Sequence, residues 1–287
     1  MADKDTVKNL RILANEQRRK FLTFCHDNGD GIHIGGDLSS ADILVALYQY
    51  KMNVDPKNIK LPTRDRFVLS KGHAAAAMYI AMSTRGFYDY DEIVRTYGKT
   101  GASFGMHPCK VNLPGVESSA GSLGHGLPIA TGFAIAARVR KEQHRVYCLM
   151  GDGETCEGSI WEAALTAASY KLGNLVGIVD RNMQLMSSFS EADVVLEPYA
   201  DKWAAFGWNV VRLEDGNDMA QIVGALDNLP PPDSEKPTCI ILNTIKGKGV
   251  SFMERQIQWH NNVMTQEQYE TAMSELDAAL ALVRGES

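Results

Sequence analysis

The pattern of apolar and polar positions changes in character about halfway along the chain. In the first third, apolar residues recur at helical spacing over residues 6–24 and 38–50, and Ser39-Ser40 before Ala41 predict an N-cap for the second of these helices. After Arg145, short apolar runs predict strands, and the segments between them have helical periodicity.

The later part of the chain therefore predicts an alternation of strands and helices. The apolar runs are 146–150, 175–179, 208–213 and 239–242, and the helical segments are 159–170, 218–229 and a final amphipathic helix at 265–283. This alternation is typical of an α/β fold in which a parallel sheet is covered by helices on both faces. Ligands of such sheets bind at the carboxyl ends of the strands, so we expect functional residues directly after Met150, Val179 and Leu242.

Composition and charge exclude several classes of protein. The chain has 287 residues, of which 45% are hydrophobic and 22% charged, a balance that excludes a disordered chain. A formal charge of −6 argues against a general nucleic-acid binder, and no apolar stretch approaches the length of a membrane helix. The N-terminus is too charged for a secretory signal, so the sequence predicts a cytoplasmic protein with neither nucleic-acid nor membrane partners.

Candidate chemistry begins with the turn Gly151-Asp152-Gly153, which directly follows the strand at 146–150. The two glycines allow a sharp turn and a close approach to a ligand, and Asp152 is a hard oxygen donor suited to Mg²⁺. The dinucleotide-binding pattern G-x-G-x-x-G fails here because Cys156 stands at its third glycine.

A second oxygen donor, Asn182, lies thirty positions later and again directly after a strand. The ends of neighbouring parallel strands lie side by side, so Asp152, Asn182 and the backbone carbonyl of Gln184 are predicted to face one point. Three protein oxygens and two from a diphosphate would complete an octahedral site for Mg²⁺, or for Ca²⁺ or Mn²⁺ in its place.

Gly-Asp-Gly followed by Asn resembles the signature of enzymes that use thiamine diphosphate, and the chain from His33 to about His260 resembles the N-terminal, diphosphate-binding (PP) half of a transketolase. The segments that carry this resemblance are His33–Gly36 with Leu38-Ser39 and residues 42–44, residues 64–66 with 70–74, His107-Pro108, residues 121–126, residues 151–153 with Glu157-Gly158, residues 179–182, residues 244–249, and Trp259-His260.

The resemblance implies roles for individual residues. In the family, histidines at the positions of His33, His73, His107 and His260 line the channel to the thiazolium ring and contact the sugar, and imidazole suits oxygens that gain and lose protons. The cofactor-binding residues implied are His73, Gly121, Ser122, Leu123, Gly153, Glu154, Asn182 and His260, and the metal ligands implied are Asp152, Asn182 and Gln184.

The resemblance also implies a partner chain. Transketolases carry the glutamate that activates the cofactor in a second, pyrimidine-binding domain, and no such block or further C-terminal domain is expected in residues 1–287, which we interpret as one PP domain with an N-terminal helical segment and a C-terminal helix. The expected assembly is a heterotetramer with two copies of a C-terminal transketolase subunit. Glu157 matches a family glutamate that couples to the catalytic one, although an acid at a helix N-terminus also has an ordinary structural role.

The predicted activity is the transfer of a two-carbon ketol unit from a ketose to an aldose, with sugar phosphates or sugar analogues as substrates. One alternative is another thiamine diphosphate carboligase, such as a deoxyxylulose phosphate synthase or a dehydrogenase E1-like subunit. A second alternative is a non-catalytic, thiamine diphosphate-binding regulatory module. The sequence does not identify the donor and acceptor sugars.

Overall fold

The computed structural model describes residues 2–29 and 32–285, and a five-stranded parallel sheet lies at its centre. The strands are β1 (Arg66–Leu69), β2 (Val146–Gly151), β3 (Leu175–Arg181), β4 (Asn209–Leu213) and β5 (Thr238–Asn243). Their order in the sheet is β1-β2-β3-β5-β4, and every neighbouring pair is parallel. The predicted α/β fold is confirmed, and β1 is a strand that the apolar pattern did not predict.

Ten α-helices connect and cover these strands within the described residues. They are α1 (Lys4–Asn28), α2 (Ile34–Val45), α3 (Ala75–Arg85), α4 (Tyr90–Thr96), α5 (Gly126–Val139), α6 (Gly158–Ser169), α7 (Ser190–Asp193), α8 (Tyr199–Ala205), α9 (Met219–Asp227) and α10 (Gln266–Arg284). A π-helical segment (Ala46–Lys51) continues α2, and short 3₁₀ turns cover Gly72–Ala74, Gly153–Cys156 and Ile257–His260.

The alternation of side chains along each strand divides the core into two parts. In β2, Tyr147 and Leu149 pack with residues of α1, α2, α3 and α9 on one face of the sheet. Val146, Cys148 and Met150 pack on the other face, with residues of α5, α6 and α8. Helices therefore cover both faces, as the strand–helix alternation predicted.

The start of the second helix differs from the prediction. The N-cap position is His33, and Ser39 and Ser40 lie inside α2 with 1% and 0% exposure. Because they lie beyond the first turn of α2, they cannot cap its N-terminus. The Ser40 hydroxyl donates to the carbonyl of Gly36, and the Ser39 hydroxyl is shared between that carbonyl and a buried carboxylate. The final helix predicted at 265–283 is confirmed as α10, and Thr265 caps it in a capping box with Gln268.

The register of the sheet brings the functional strand ends together. Met150 pairs with Val179, and Gly151 pairs with Asp180, so the turn after β2 lies beside the turn after β3. Within the described part of the chain, no helix has the length and apolar character needed to cross a membrane.

Candidate active site

A cleft of about 420 Å³ opens at the carboxyl ends of the strands. It is formed by the segments that follow β1, β2, β3 and β5, together with the start of α2, the loop at 106–123 and the turn that ends at His260. The lining residues are His33, Gly36, Lys71, His73, Met106, His107, Gly121, Leu123, Gly151, Asp152, Gly153, Glu154, Asn182, Gln184, Leu185, Met186, Lys246 and His260. Most of the residues that the sequence indicated therefore share one cleft.

Asp152 joins the turn after β2 to the segment after β3. Its side chain is buried, and Oδ2 accepts hydrogen bonds from the Met183 amide at 3.0 Å and the Ser190 hydroxyl at 3.1 Å. Burial, together with the nearby Asp180 carboxylate, raises the pKa of Asp152 to about 6. A cation placed beside this carboxylate would offset both effects.

The orientation of the Asn182 amide is set by Asp180. Asn182 Nδ2 donates to Asp180 Oδ2 at 2.9 Å, which leaves Oδ1 as the atom that accepts from the Gln184 amide at 3.1 Å. Asp180 also accepts from Lys71 Nζ at 2.6 Å, from Ser39 and from Thr244. Burial alone would raise the pKa of Asp180, but Lys71 and these hydroxyl donors hold it below its ordinary value.

Gln184 brings an unsatisfied amide to the same region. Its side chain is 5% exposed, and neither Oε1 nor Nε2 has a hydrogen-bond partner among the described residues. An unpaired buried amide is costly, and it marks a place where a ligand would restore the missing interactions.

The candidate metal ligands of this cleft are mainly neutral oxygen atoms, unlike those of a metal site built from clustered acidic and histidine side chains. No group of three or more His, Cys, Asp or Glu side chains in residues 2–29 and 32–285 is arranged to hold a metal ion. Asp152, Asn182 and Gln184 instead offer a carboxylate, an amide oxygen and a carbonyl, which are the hard ligands of Mg²⁺ and Ca²⁺.

Three imidazole rings form a cluster at the start of α2. The ring centroid of His33 lies 5.0 Å from that of His73 and 5.2 Å from that of His260, and His73 and His260 are 5.9 Å apart. Burial lowers the pKa of His73 to about 2 and that of His260 to about 3, with further lowering by nearby lysines, and burial lowers the pKa of His33 in the same direction. The three rings are neutral near pH 7, and His107 faces the same cleft.

Two buried lysines line the cleft, and both belong to the segments that carry the family resemblance, although the sequence motifs imply no role for them. Lys71 follows β1 and Lys246 follows β5, and their exposures are 1% and 3%. Burial, followed by repulsion from Lys71, lowers the pKa of Lys246 to about 8. Both lysines lie within three residues of a strand end, and that position was the sequence signal for them. Lys71 is paired with Asp180, so the attraction of the cleft for an anion comes from Lys246.

Glu154 holds residues 121–126, a glycine-rich turn, against the sheet. Its buried carboxylate accepts from the amides of Gly124 at 2.8 Å and Gly151 at 3.1 Å, and also from the Ser70 hydroxyl. Gly121 and Leu123 line the cleft beside it. Ser122 lies in an adjacent cavity with His125, outside the cleft described above.

Glu157 lies outside the cleft. It is exposed and occupies the N-cap position of α6, but its side chain makes no capping hydrogen bond. The structural contribution of Glu157 to α6 is therefore limited to the favourable interaction of its negative charge with the helix N-terminus.

The chain matches a known family over nearly its entire length. Residues 2–278 match the family described as "Transketolase, thiamine diphosphate binding domain". The chain is 40% identical over 281 residues to a protein of Phocaeicola vulgatus that is named as one of the subunits of an apulose-4-phosphate transketolase, with 98% of each chain covered. It is 39% identical over 269 residues to a 6-deoxy-6-sulfo-D-fructose transketolase subunit of a Clostridium species, with 94% of this chain and 96% of the other covered.

Solved structures show the same fold. A transketolase from Campylobacter jejuni superposes with a TM-score of 0.85 at 28% sequence identity, covering 94% of this chain. The chain spans 43% of that transketolase, whereas it spans almost the whole of the two relatives from Phocaeicola vulgatus and the Clostridium species.

Proposed function

This chain belongs to the transketolase family, and from that membership we propose that it is the diphosphate-binding subunit of a two-chain transketolase. The enzyme would transfer a two-carbon ketol unit from a ketose to an aldose. The observation that supports this most directly is the convergence of Asp152, Asn182, three neutral imidazoles and two buried lysines in one cleft. Oxygen ligands for a cation lie there beside groups that attract a diphosphate.

We propose that Asp152, Asn182 and the backbone carbonyl of Gln184 hold Mg²⁺, with Ca²⁺ or Mn²⁺ as substitutes. The raised pKa of Asp152 fits such an ion, because a cation beside the carboxylate would favour its charged form. His73, Gly153 and His260 would bind the diphosphate, and Lys246 would balance part of its charge. Leu123 and the turn at 121–126 would pack on the aminopyrimidine ring.

When bound, thiamine diphosphate supplies the carbon that carries the two-carbon unit between the sugars. The groups of this chain would orient the substrate and move protons at its oxygens. His33 and His107 face the cleft for this purpose, and a neutral imidazole can donate or accept.

The cleft also supports the need for a partner. Among the described residues that line it, the carboxylates are Asp152 and Glu154, and both are engaged by donors of this chain. Neither is free to activate an aminopyrimidine ring. We propose that a C-terminal subunit with a pyrimidine-binding domain supplies that glutamate, that Glu157 couples to it, and that two copies of each chain assemble. Residues 1–287 would then form a single PP domain.

The exposed part of the cleft lining is apolar. Met106, Leu123 and Met186 line the cleft, with exposures of 41%, 37% and 71%. The two lysines that line the cleft are buried, with exposures of 1% and 3%, and we propose that the partner binds a terminal phosphate or sulfonate. The names of the two relatives refer to a sugar phosphate and to a sulfonated sugar, so both substrate classes belong in the test.

The cytoplasmic location of the protein remains a prediction.

The first experiment is capture of this chain from its native cells, followed by peptide sequencing of the proteins that co-purify. A stoichiometric second chain with a pyrimidine-binding domain would support the split enzyme. The assembled complex is then assayed for ketol transfer and for pyruvate decarboxylation with thiamine diphosphate and Mg²⁺.

The assay separates the proposal from its alternatives. Ketol transfer that is lost in His33→Ala, and retained in the control His26→Ala near the end of α1, would support transketolase. Pyruvate decarboxylation without ketol transfer would favour another carboligase. A chain that is captured alone at native concentration would favour the regulatory module.

A further inference from the structure

Lys246 and His260 are held in direct contact by the packing of α2 against the segment after β5. Lys246 Nζ lies 2.8 Å from His260 Nδ1 and donates to the carbonyl of Leu185 at 2.9 Å. The absence of a side chain at Gly35 makes this possible, because a Cβ there would lie 2.8 Å from Lys246 Cγ and 2.9 Å from the Trp259 carbonyl. The amide of the residue after Lys246 also donates to the Gly35 carbonyl at 3.0 Å.

The chemistry of the contact determines where the imidazole proton lies. An ammonium group has three donors and no acceptor, so the ring nitrogen that it contacts must present a lone pair. With its pKa lowered to about 3 by burial and by Lys246, the His260 ring is neutral and carries one proton. If Nδ1 accepts, that proton is on Nε2.

We propose that Lys246 is a positioning residue that fixes His260 as the Nε2–H tautomer, so that His260 acts in the cleft as a hydrogen-bond donor only. This inference rests on the proposed function for its catalytic meaning, while the tautomer itself is a property of the chain. A donor-only imidazole suits an oxygen that carries negative charge, such as a diphosphate or sugar oxygen. It cannot serve as the base that removes a proton from the substrate.

His33 is placed differently in the same cluster. Its Nδ1 is buried and has no hydrogen-bond partner among the described residues, so no neighbour fixes its tautomer through that atom. The rings of the cleft therefore have different roles. His260 donates a hydrogen bond, and His33 or another ring of the cleft accepts a proton from the substrate.

The tautomer can be measured directly by NMR. The full chain is labelled with ¹⁵N in histidine, and two-bond ¹⁵N–¹H correlation spectra at pH 7 report the protonated nitrogen of each ring. The signals of His260 are assigned from their loss in His260→Gln. We expect a single Nε2–H pattern in the wild-type chain and its loss in Lys246→Met. The control Lys248→Met, which changes a half-buried lysine two residues away, should leave the pattern intact.

The result does not depend on activity or on bound cofactor. An Nδ1–H pattern or a mixture of tautomers at His260 in the wild-type chain would overturn the proposal, even if Lys246→Met failed to fold. An unchanged pattern in a folded Lys246→Met chain would overturn it as well. If the pattern is as expected but the assembled complex transfers no ketol unit, the proposed function fails and the tautomer assignment stands.

Discussion

The ammonium group of Lys71 lies 2.6 Å from a carboxylate oxygen of Asp180, and the two side chains are 1% and 0% exposed. The pair links the end of β1 to the end of β3, on either side of β2. Because Asp180 also orients the Asn182 amide, the pair connects the stability of the sheet to the geometry of the cleft.

Lys71→Met should therefore destabilise the chain strongly. It leaves Asp180 buried without its cation, and removal of one partner of a buried ion pair typically costs about 3–5 kcal/mol. The free energy of unfolding, measured by chemical denaturation without cofactor, checks this. Lys171→Met is the matched control, because Lys171 pairs with Glu235 at an exposed site. Similar losses in the two variants would contradict the importance of the buried pair.

Asp152→Ala should abolish Mg²⁺-dependent binding of thiamine diphosphate by the assembled complex. The variant removes the only carboxylate among the three proposed ligands. Cofactor titration measures the effect, and circular dichroism establishes that the fold is intact. The control is Asp201→Ala, which removes an exposed carboxylate on α8. Unchanged cofactor affinity in Asp152→Ala would refute the metal site.

Asp37→Asn should become progressively more stable than the wild type as the pH rises. Asp37 is 1% exposed, and burial raises its pKa from an ordinary 3.8 to about 8. At pH values between these two pKa values, Asp37 stays protonated in the folded chain and loses its proton in the unfolded chain. The free energy of unfolding of the wild type therefore falls with rising pH, by up to about 1.4 kcal/mol per pH unit. Asparagine carries no such proton and can still accept from the Ala77 amide, as Asp37 does at 2.7 Å.

Unfolding of both chains at pH 6 and pH 8 tests this sign. The stability difference in favour of Asp37→Asn should grow by about 2–3 kcal/mol over that interval. A difference that does not change with pH would show that Asp37 is ionised in the folded chain throughout.

Gly126→Ala should weaken both the fold and cofactor binding. A Cβ at this first residue of α5 would lie 2.3 Å from the Cβ and Oγ atoms of Ser70, so the glycine-rich turn must shift away from the strand end. Gly132→Ala on the same helix is the control, because a Cβ there meets nothing within 4 Å. That control should gain up to about 1 kcal/mol from helix propensity. Denaturation and cofactor titration of both variants give the comparison, and equal behaviour would contradict the steric argument.

The sequence predicted four of the five strands and missed β1 and α3 for different reasons. Strands β2 to β5 were predicted from their apolar runs. Strand β1 was not, because it has only three apolar residues and they follow the charged run Arg64-Asp65-Arg66. Helix α3 was missed because residues 75–82 are buried on all sides and show no periodicity.

The sequence predicted that several candidate residues lie together, while their roles remain predictions. The strand ends placed Asp152 and Asn182 correctly beside one another. The inward direction of Lys71 and Lys246 could not be predicted, because it depends on the close approach of Gly36 and Gly35 in the folded chain. The exposed position of Glu157 likewise follows from how α6 packs, which the motif does not encode.

The contact between His33 and His260 has a consequence for biosynthesis. The backbone at Ile32 also forms a β-bridge with Asn262. Two walls of the cleft, residues 32–33 and residues 260–262, are therefore more than two hundred positions apart in the sequence. A ribosome must release all of that intervening polypeptide before these walls can close. A ligand that needs both walls can therefore stabilise the chain only after the last third of it has been synthesised.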